Sequence, residues 1–123
     1  MKKLIFLLAA CCLFVLIAFI VPQKNIVGTW TITYKDGKTS TIDFRKDGTF
    51  KVAIPAEQFT VEGKYKFKDD ILSITDSTCG TNYWGKYKGK FMGADSIYST
   101  VIEDSCTGRR MSADKTTLVR TKK

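Results

Sequence analysis

The chain predicts an all-β fold, an eight-stranded antiparallel up-and-down β-barrel preceded by an N-terminal hydrophobic helix. Three observations carry this expectation. Apolar and polar residues alternate with period two through eight short segments after Lys24, the pattern of half-buried strands. Tight turns rich in Asp and Gly separate most of these segments. Before them stands one unbroken apolar run of 18 residues, Leu4 to Val21. The chain of 123 residues fits one folded domain. We therefore divide it into residues 1–23, a signal peptide or membrane anchor, and residues 24–123, the barrel domain.

The leading segment has the charge pattern of export: Lys2 and Lys3 come before the apolar run, and Pro22, Gln23, Lys24 and Asn25 follow it. Its length is at the short end of what spans a bilayer and long for a cleaved signal core. No small-x-small cleavage site follows. Leu8-Ala9-Ala10-Cys11 resembles the bacterial lipobox, which makes Cys11 a lipidation candidate, although ten further apolar residues follow it where a polar tether is usual. The other reading takes Cys11 and Cys12 as apolar residues of an uncleaved anchor. Both readings place the domain outside the cytosol, in the periplasm or cell envelope, and tether it to a membrane.

The strands follow in order. Trp30, Ile32 and Tyr34 alternate with threonines, and Lys35 to Lys38 turn the chain. Ile42 and Phe44 alternate with Thr41, Asp43 and Arg45, and Lys46-Asp47-Gly48 turns into Phe50, Val52 and Ile54. Pro55 to Gln58 reads as a loop, since proline gives no ladder donor. Phe59, Val61, Gly63, Tyr65 and Phe67 share one face of a long fourth strand, and Asp69-Asp70 turns into Leu72 and Ile74. A looser loop, Ser77 to Asn82, holds Cys79. Tyr83, Gly85, Tyr87, Gly89 and Phe91 form the inner face of the sixth strand, with lysines at 86, 88 and 90 opposite. Met92 to Asp95 turns into Ile97 to Glu103, whose phase stays ambiguous because Ile97 and Val101 oppose Tyr98 and Ile102. Asp104 to Lys115 is expected as the longest loop, and Thr116 to Thr121 as the last strand. No helix is expected after residue 24. An open eight-stranded sheet would leave two raw edges, and closure removes both.

A meander puts alternate loops at opposite ends. The turns at Lys46–Gly48, Asp69–Asp70 and Met92–Asp95 share a closed end, while the longer connections share an end expected to be open and mobile. Binding residues usually sit on such loops. Cys79 and Cys106 both fall at the loop end, and in an exported domain neighbouring cysteines of this kind are expected to form a disulfide. Trp30 and Arg120 both fall at the closed end, where barrel closure makes them neighbours and a guanidinium stacks favourably on an indole.

Gly28-x-Trp30 on the first strand, with Arg120 on the last, resembles the signature of the lipocalin and wider calycin superfamily. More closely, the chain resembles short lipocalin-like domains of exported bacterial proteins, whose pattern includes GTW (Gly28 to Trp30), DGTF (Asp47 to Phe50), GKYK (from Gly63 and again from Gly85) and DSCTGR (Asp104 to Arg109). The resemblance covers roughly residues 26–121. It implies a barrel that holds a small apolar or amphipathic molecule, and a structural role for Gly28, Trp30 and Arg120 in bracing the closed end. The chain departs from full lipocalins in being shorter, which favours an interior filled by its own side chains.

Candidate ligand-binding residues are therefore those near the loop end: Tyr34, Ile54, Phe59 and Tyr83 on the barrel, with Arg109 and Arg110 on the last loop as partners for an anionic headgroup. Tyr65, Phe67, Tyr87 and Phe91 could line a pocket but read first as barrel core. With Lys2 and Lys3 set aside, 18 basic residues exceed 12 acidic ones, which favours anionic partners or serves solubility. Nucleic acid is a poor partner for an exported domain with no basic helix. The chain has no histidine and no Cys-x-x-Cys spacing, so the sequence points away from a metal site, from a cofactor and from enzymatic acid–base work. It leaves the oligomeric state open.

Overall fold

The computed structural model describes residues 24–80 and 82–122. Its eight strands are β1 (Gly28–Thr33), β2 (Thr39–Phe44), β3 (Thr49–Ile54), β4 (Phe59–Lys68), β5 (Ile71–Asp76), β6 (Gly85–Phe91), β7 (Ser96–Glu103) and β8 (Thr116–Lys122). Each pairs antiparallel with the next, and β1 pairs with β8, so the sheet closes into a barrel. The expected eight-stranded antiparallel barrel is thus present. The apolar run at residues 4–21, the helix expected there and Cys11 lie outside the described residues. No helix among the described residues is long and apolar enough to cross a membrane.

Period two is legible in the burial. On β4 the odd residues turn inward and the even ones are exposed, and on β6 Gly85, Tyr87 and Gly89 are buried between exposed lysines. Inward rows follow the register: Trp30 faces Ile42, Ile42 faces Val52, Val52 faces Val61, and Tyr65 faces Ile74. Trp30, Ile32, Ile42, Phe44, Phe50, Leu72, Ile74, Tyr87, Ile97 and Leu118 form the buried core. Phe44 meets Tyr65 edge-on with ring centroids 4.9 Å apart, and Phe91 packs edge-on against both Trp30 and Phe67. The ambiguous seventh strand resolves in favour of Ile97, which is buried, while Ile102 is exposed.

The turns show why the meander reverses so sharply. Asp69 and Asp70 both take positive φ (53° and 62°), the left-handed pair that a two-residue hairpin turn requires. Asp47 Oδ1 accepts hydrogen bonds from the Thr49 amide and hydroxyl, closing the turn before β3.

Two expectations need correction. The connection Pro55–Gln58 contains a short 3-10 turn, Pro55–Glu57. More important, the segment expected as the longest loop folds into a helix, α1 (Thr107–Ala113). This helix is held by its packing: Ala113 lies against the core, and Arg109 is buried.

Candidate functional site

The closed end is built from the chain leading into β1 and from β8. Gly28 has φ 134°, a backbone conformation that glycine adopts freely, and this lets residues 24–27 pass beneath the barrel. Ile26 is buried there, and the Trp30 indole N–H donates to its carbonyl at 2.8 Å. Arg120 faces Trp30 in the register, with its guanidinium carbon 4.2 Å from the ring centroid. The same guanidinium donates to the carbonyls of Val27 (2.9 Å) and Asn25 (2.7 Å) and to Asp95 Oδ1 (3.1 Å). Each of its three nitrogens has a structural acceptor, so this end is a brace.

The loop end divides into two halves with opposite chemistry. The polar half is built on β5, β6 and the chain after β7. Asp76 follows Leu72 and Ile74 on the inward face of β5 and is buried; Asp104, just beyond β7, is buried as well. Arg109 of α1 lies between them. Its Nε and Nη2 reach Asp104 Oδ2 and Oδ1 at 2.7 and 3.0 Å, a two-pronged pairing, and its Nη1 reaches Asp76 Oδ2 at 3.3 Å. The Tyr87 hydroxyl donates to Asp104 Oδ2, and the Cys106 amide donates to Oδ1 at 2.9 Å. Gly85 makes room for this carboxylate, because a Cβ there would collide with Asp104 Oδ2.

Electrostatics follow from the geometry. Burial pushes the Asp104 carboxyl upward, but hydrogen bonds from Arg109, Tyr87 and Cys106, with the Arg109 charge, outweigh it and hold the group below its ordinary value. Burial and the adjacent Asp104 raise the Tyr87 phenol well above its usual range, so it remains a donor. Burial opposes the charge on Arg109, and the pairing with Asp104 more than compensates. Both carboxylates are thus taken by arginine, and no group of three or more metal-ligating side chains occurs among the described residues.

A disulfide joins Cys79 to Cys106, with Cα atoms 5.7 Å apart, as the topology of the loops predicts. It ties the loop after β5 to the residue just before α1, directly beside the Asp104–Arg109 pair.

The apolar half is built on β1 to β4. Ile54 and Phe59 lie directly opposite each other, and Val52 opposes Val61 one row deeper. All are inward by strand phase, yet all are partly exposed; Phe59 is 54% exposed, while Phe50, one row further in, is 2% exposed. Tyr34 borders the same region, and its hydroxyl shares a 2.8 Å hydrogen bond with Ser40.

The sequence-derived candidates therefore part company. Ile54 and Phe59 face each other on the apolar half, while Tyr34, just beyond β1, packs against the core and bonds Ser40. Tyr83 lies ahead of β6, not within it; its hydroxyl accepts from the Ser105 amide, and its ring lies 5.7 Å from the Arg109 guanidinium carbon. Arg109, expected as an exposed headgroup partner, is instead locked inside the barrel end. Arg110, its neighbour, is exposed and forms no ion pair among the described residues. Sequence reading missed Asp76, Tyr87 and Asp104 as a connected group. The available signal was the phase of β5, which carries a carboxylate onto the same face as Leu72 and Ile74.

No protein-family model matches the chain, and no curated protein shows significant similarity to it. The closed eight-stranded antiparallel barrel is consistent with a calycin-type, lipocalin-like architecture.

Proposed function

We propose that the protein is an exported, membrane-tethered, lipocalin-like binder of a small apolar or amphipathic molecule, taken up through the apolar half of the loop end. The observation that carries this reading is the half-exposed inner surface formed by Val52, Ile54, Phe59 and Val61, where the rows below are buried. Apolar side chains that face inward and still meet water are what a concave site for an apolar ligand offers. Tyr34 adds a half-buried ring whose hydroxyl is bonded to that of the buried Ser40. An anionic headgroup would pair with Arg110, because the Arg109 guanidinium is already occupied. Export and tethering are supported by the disulfide, which persists in oxidising compartments, and by the lysine-flanked apolar run at the N-terminus.

Native mass spectrometry of the full-length protein, purified in neutral detergent, tests the reading. A co-purified lipid-like mass is expected, and Ile54→Glu together with Val61→Glu should remove it while the circular dichroism stays that of the folded barrel. Absence of any bound mass, with no binding of a fluorescent fatty acid, would overturn it.

A second reading is favoured by a specific observation: the Asp76–Arg109–Asp104 cluster and α1 cover the other half of this end, and large side chains fill the interior. A barrel filled in this way acts through its outer surface, as an envelope interaction protein or inhibitor.

A further inference from the structure

The outer wall of the barrel carries a feature that belongs to neither end. β4 presents Lys64, Lys66 and Lys68 outward, β6 presents Lys86, Lys88 and Lys90, and β5 runs between them. The register sets two rows across this wall, Lys66–Ser73–Lys86 and Lys68–Ile71–Lys88. All six lysines are exposed, and none forms an ion pair among the described residues. The acids that border the wall do not neutralise it: Glu62 is held by Lys51 at 3.8 Å and Asp70 by Lys24 at 3.3 Å. Glu103 stands opposite Lys86 without an ion pair, and Asp69 lies in the turn at the foot of the wall.

Strand geometry spaces the lysines about 7 Å apart along each column and about 10 Å apart between columns. A surface built for solubility alone mixes charges of both signs. Here two columns of one sign face each other across a neutral central strand, an arrangement of mutual repulsion that a bound polyanion relieves.

We propose that this wall binds a linear phosphodiester polymer of the polyol type, laid along β5 between the two lysine columns. Such a chain carries one negative charge per P–O–C–C–C–O repeat, and its extended repeat is close to the distance of about 7 Å between successive lysines along one column. The side chains beneath it are consistent with that partner. Ser73, half-buried between Lys66 and Lys86, offers a hydroxyl to phosphate or polyol oxygens. A single-stranded nucleic acid needs aromatic platforms for its bases. The central strand supplies none outward, and the Trp84 ring has the Lys66 ammonium 4.7 Å from its centroid. A lipid bilayer is flat whereas a barrel wall is convex, and Ile71 is the exposed apolar side chain that β5 offers to it.

Binding of the full-length protein, in neutral detergent, to poly(glycerol phosphate) tests the proposal by titration calorimetry across a range of salt. The six lysines span four rows, about 20 Å, over which one strand of the polymer carries about four phosphates; neutralising these predicts a slope of log affinity against log salt of about −3. The variant Lys86→Gln/Lys88→Gln/Lys90→Gln should weaken binding at least tenfold and make the slope shallower. A control with the same net charge, Lys35→Gln/Lys46→Gln/Lys115→Gln, should leave both unchanged. The column on β4, Lys64→Gln/Lys66→Gln/Lys68→Gln, gives an independent variant should the β6 one fail to fold. Equal loss in the control overturns the site. Equal affinity for a single-stranded oligonucleotide, or binding to anionic vesicles with none to the polymer, overturns the assigned partner.

Discussion

Arg109 is a cation sealed among protein groups, and its value lies in what surrounds it. A buried guanidinium is costly to desolvate, and two carboxylates with a full set of donors offset that cost. Such a cluster adds little net stability relative to apolar packing, yet it is intolerant of losing one member. Arg109→Met should therefore lower unfolding free energy by about 3–5 kcal/mol, measured by urea denaturation, because Asp76 and Asp104 remain buried without a partner. Arg109→Lys should recover only part of this, since an ammonium cannot engage both oxygens of Asp104 in the same fork. The acid limb follows from the lowered Asp104 carboxyl. Its folded value lies below the ordinary 3.8, so its contribution is complete above pH 3.8 and is lost as pH falls from there through the folded value. Asp104→Asn should flatten that limb in a pH series of thermal midpoints; an unchanged acid slope would remove Asp104 as its source.

Among the elements, α1 separates what the sequence shows from what it conceals. The strands were legible because each is a period-two run of aromatic and β-branched residues between turn residues. The disulfide was legible because strand parity assigns both cysteines to one end. Trp30 and Arg120 were legible for the same reason. Thr107 to Ala113 has no such signature: seven residues, a glycine at the second position and no apolar stripe read as loop, and only the packing of Ala113 and the burial of Arg109 make it a helix. The apolar half of the candidate site was visible as inward phase near strand ends. The polar half was hidden because Asp104 reads as a turn residue until its partners are folded onto it. Since the disulfide anchors Cys106, the residue just before this short helix, replacing Cys79 and Cys106 with alanine should cost about 3–4 kcal/mol. Hydrogen exchange should rise first at the Arg110 and Asp114 amides, and at the Val101 amide that donates to Asp114. Uniform acceleration over the whole barrel would show instead that α1 and the sheet open together.

At the scale of the whole molecule, closure leaves no free sheet edge among the described strands, and it makes β1 and β8 the pair most distant in sequence. The two ends have then been given different work: one is tied shut by backbone carbonyls, the other is half polar plug and half apolar surface. The clamp at the tied end also has a mechanical consequence. Arg120 grips the carbonyls of Asn25 and Val27, so tension applied through residue 24 reaches β8 directly as well as through β1. Along β1, that load pulls lengthwise on ladders with both β2 and β8, whose hydrogen bonds are strained together rather than parted one by one. Optical-tweezer pulling from residue 24 against the loop after β3, at the opposite end of the barrel, should give a single high-force rupture, reduced in Arg120→Ala; equal forces in both proteins would show that the guanidinium carries no load. The chain that enters at residue 24 is thus moored to the first and the last strand at once, so a pull on it loads the closing seam as a unit and not one strand alone.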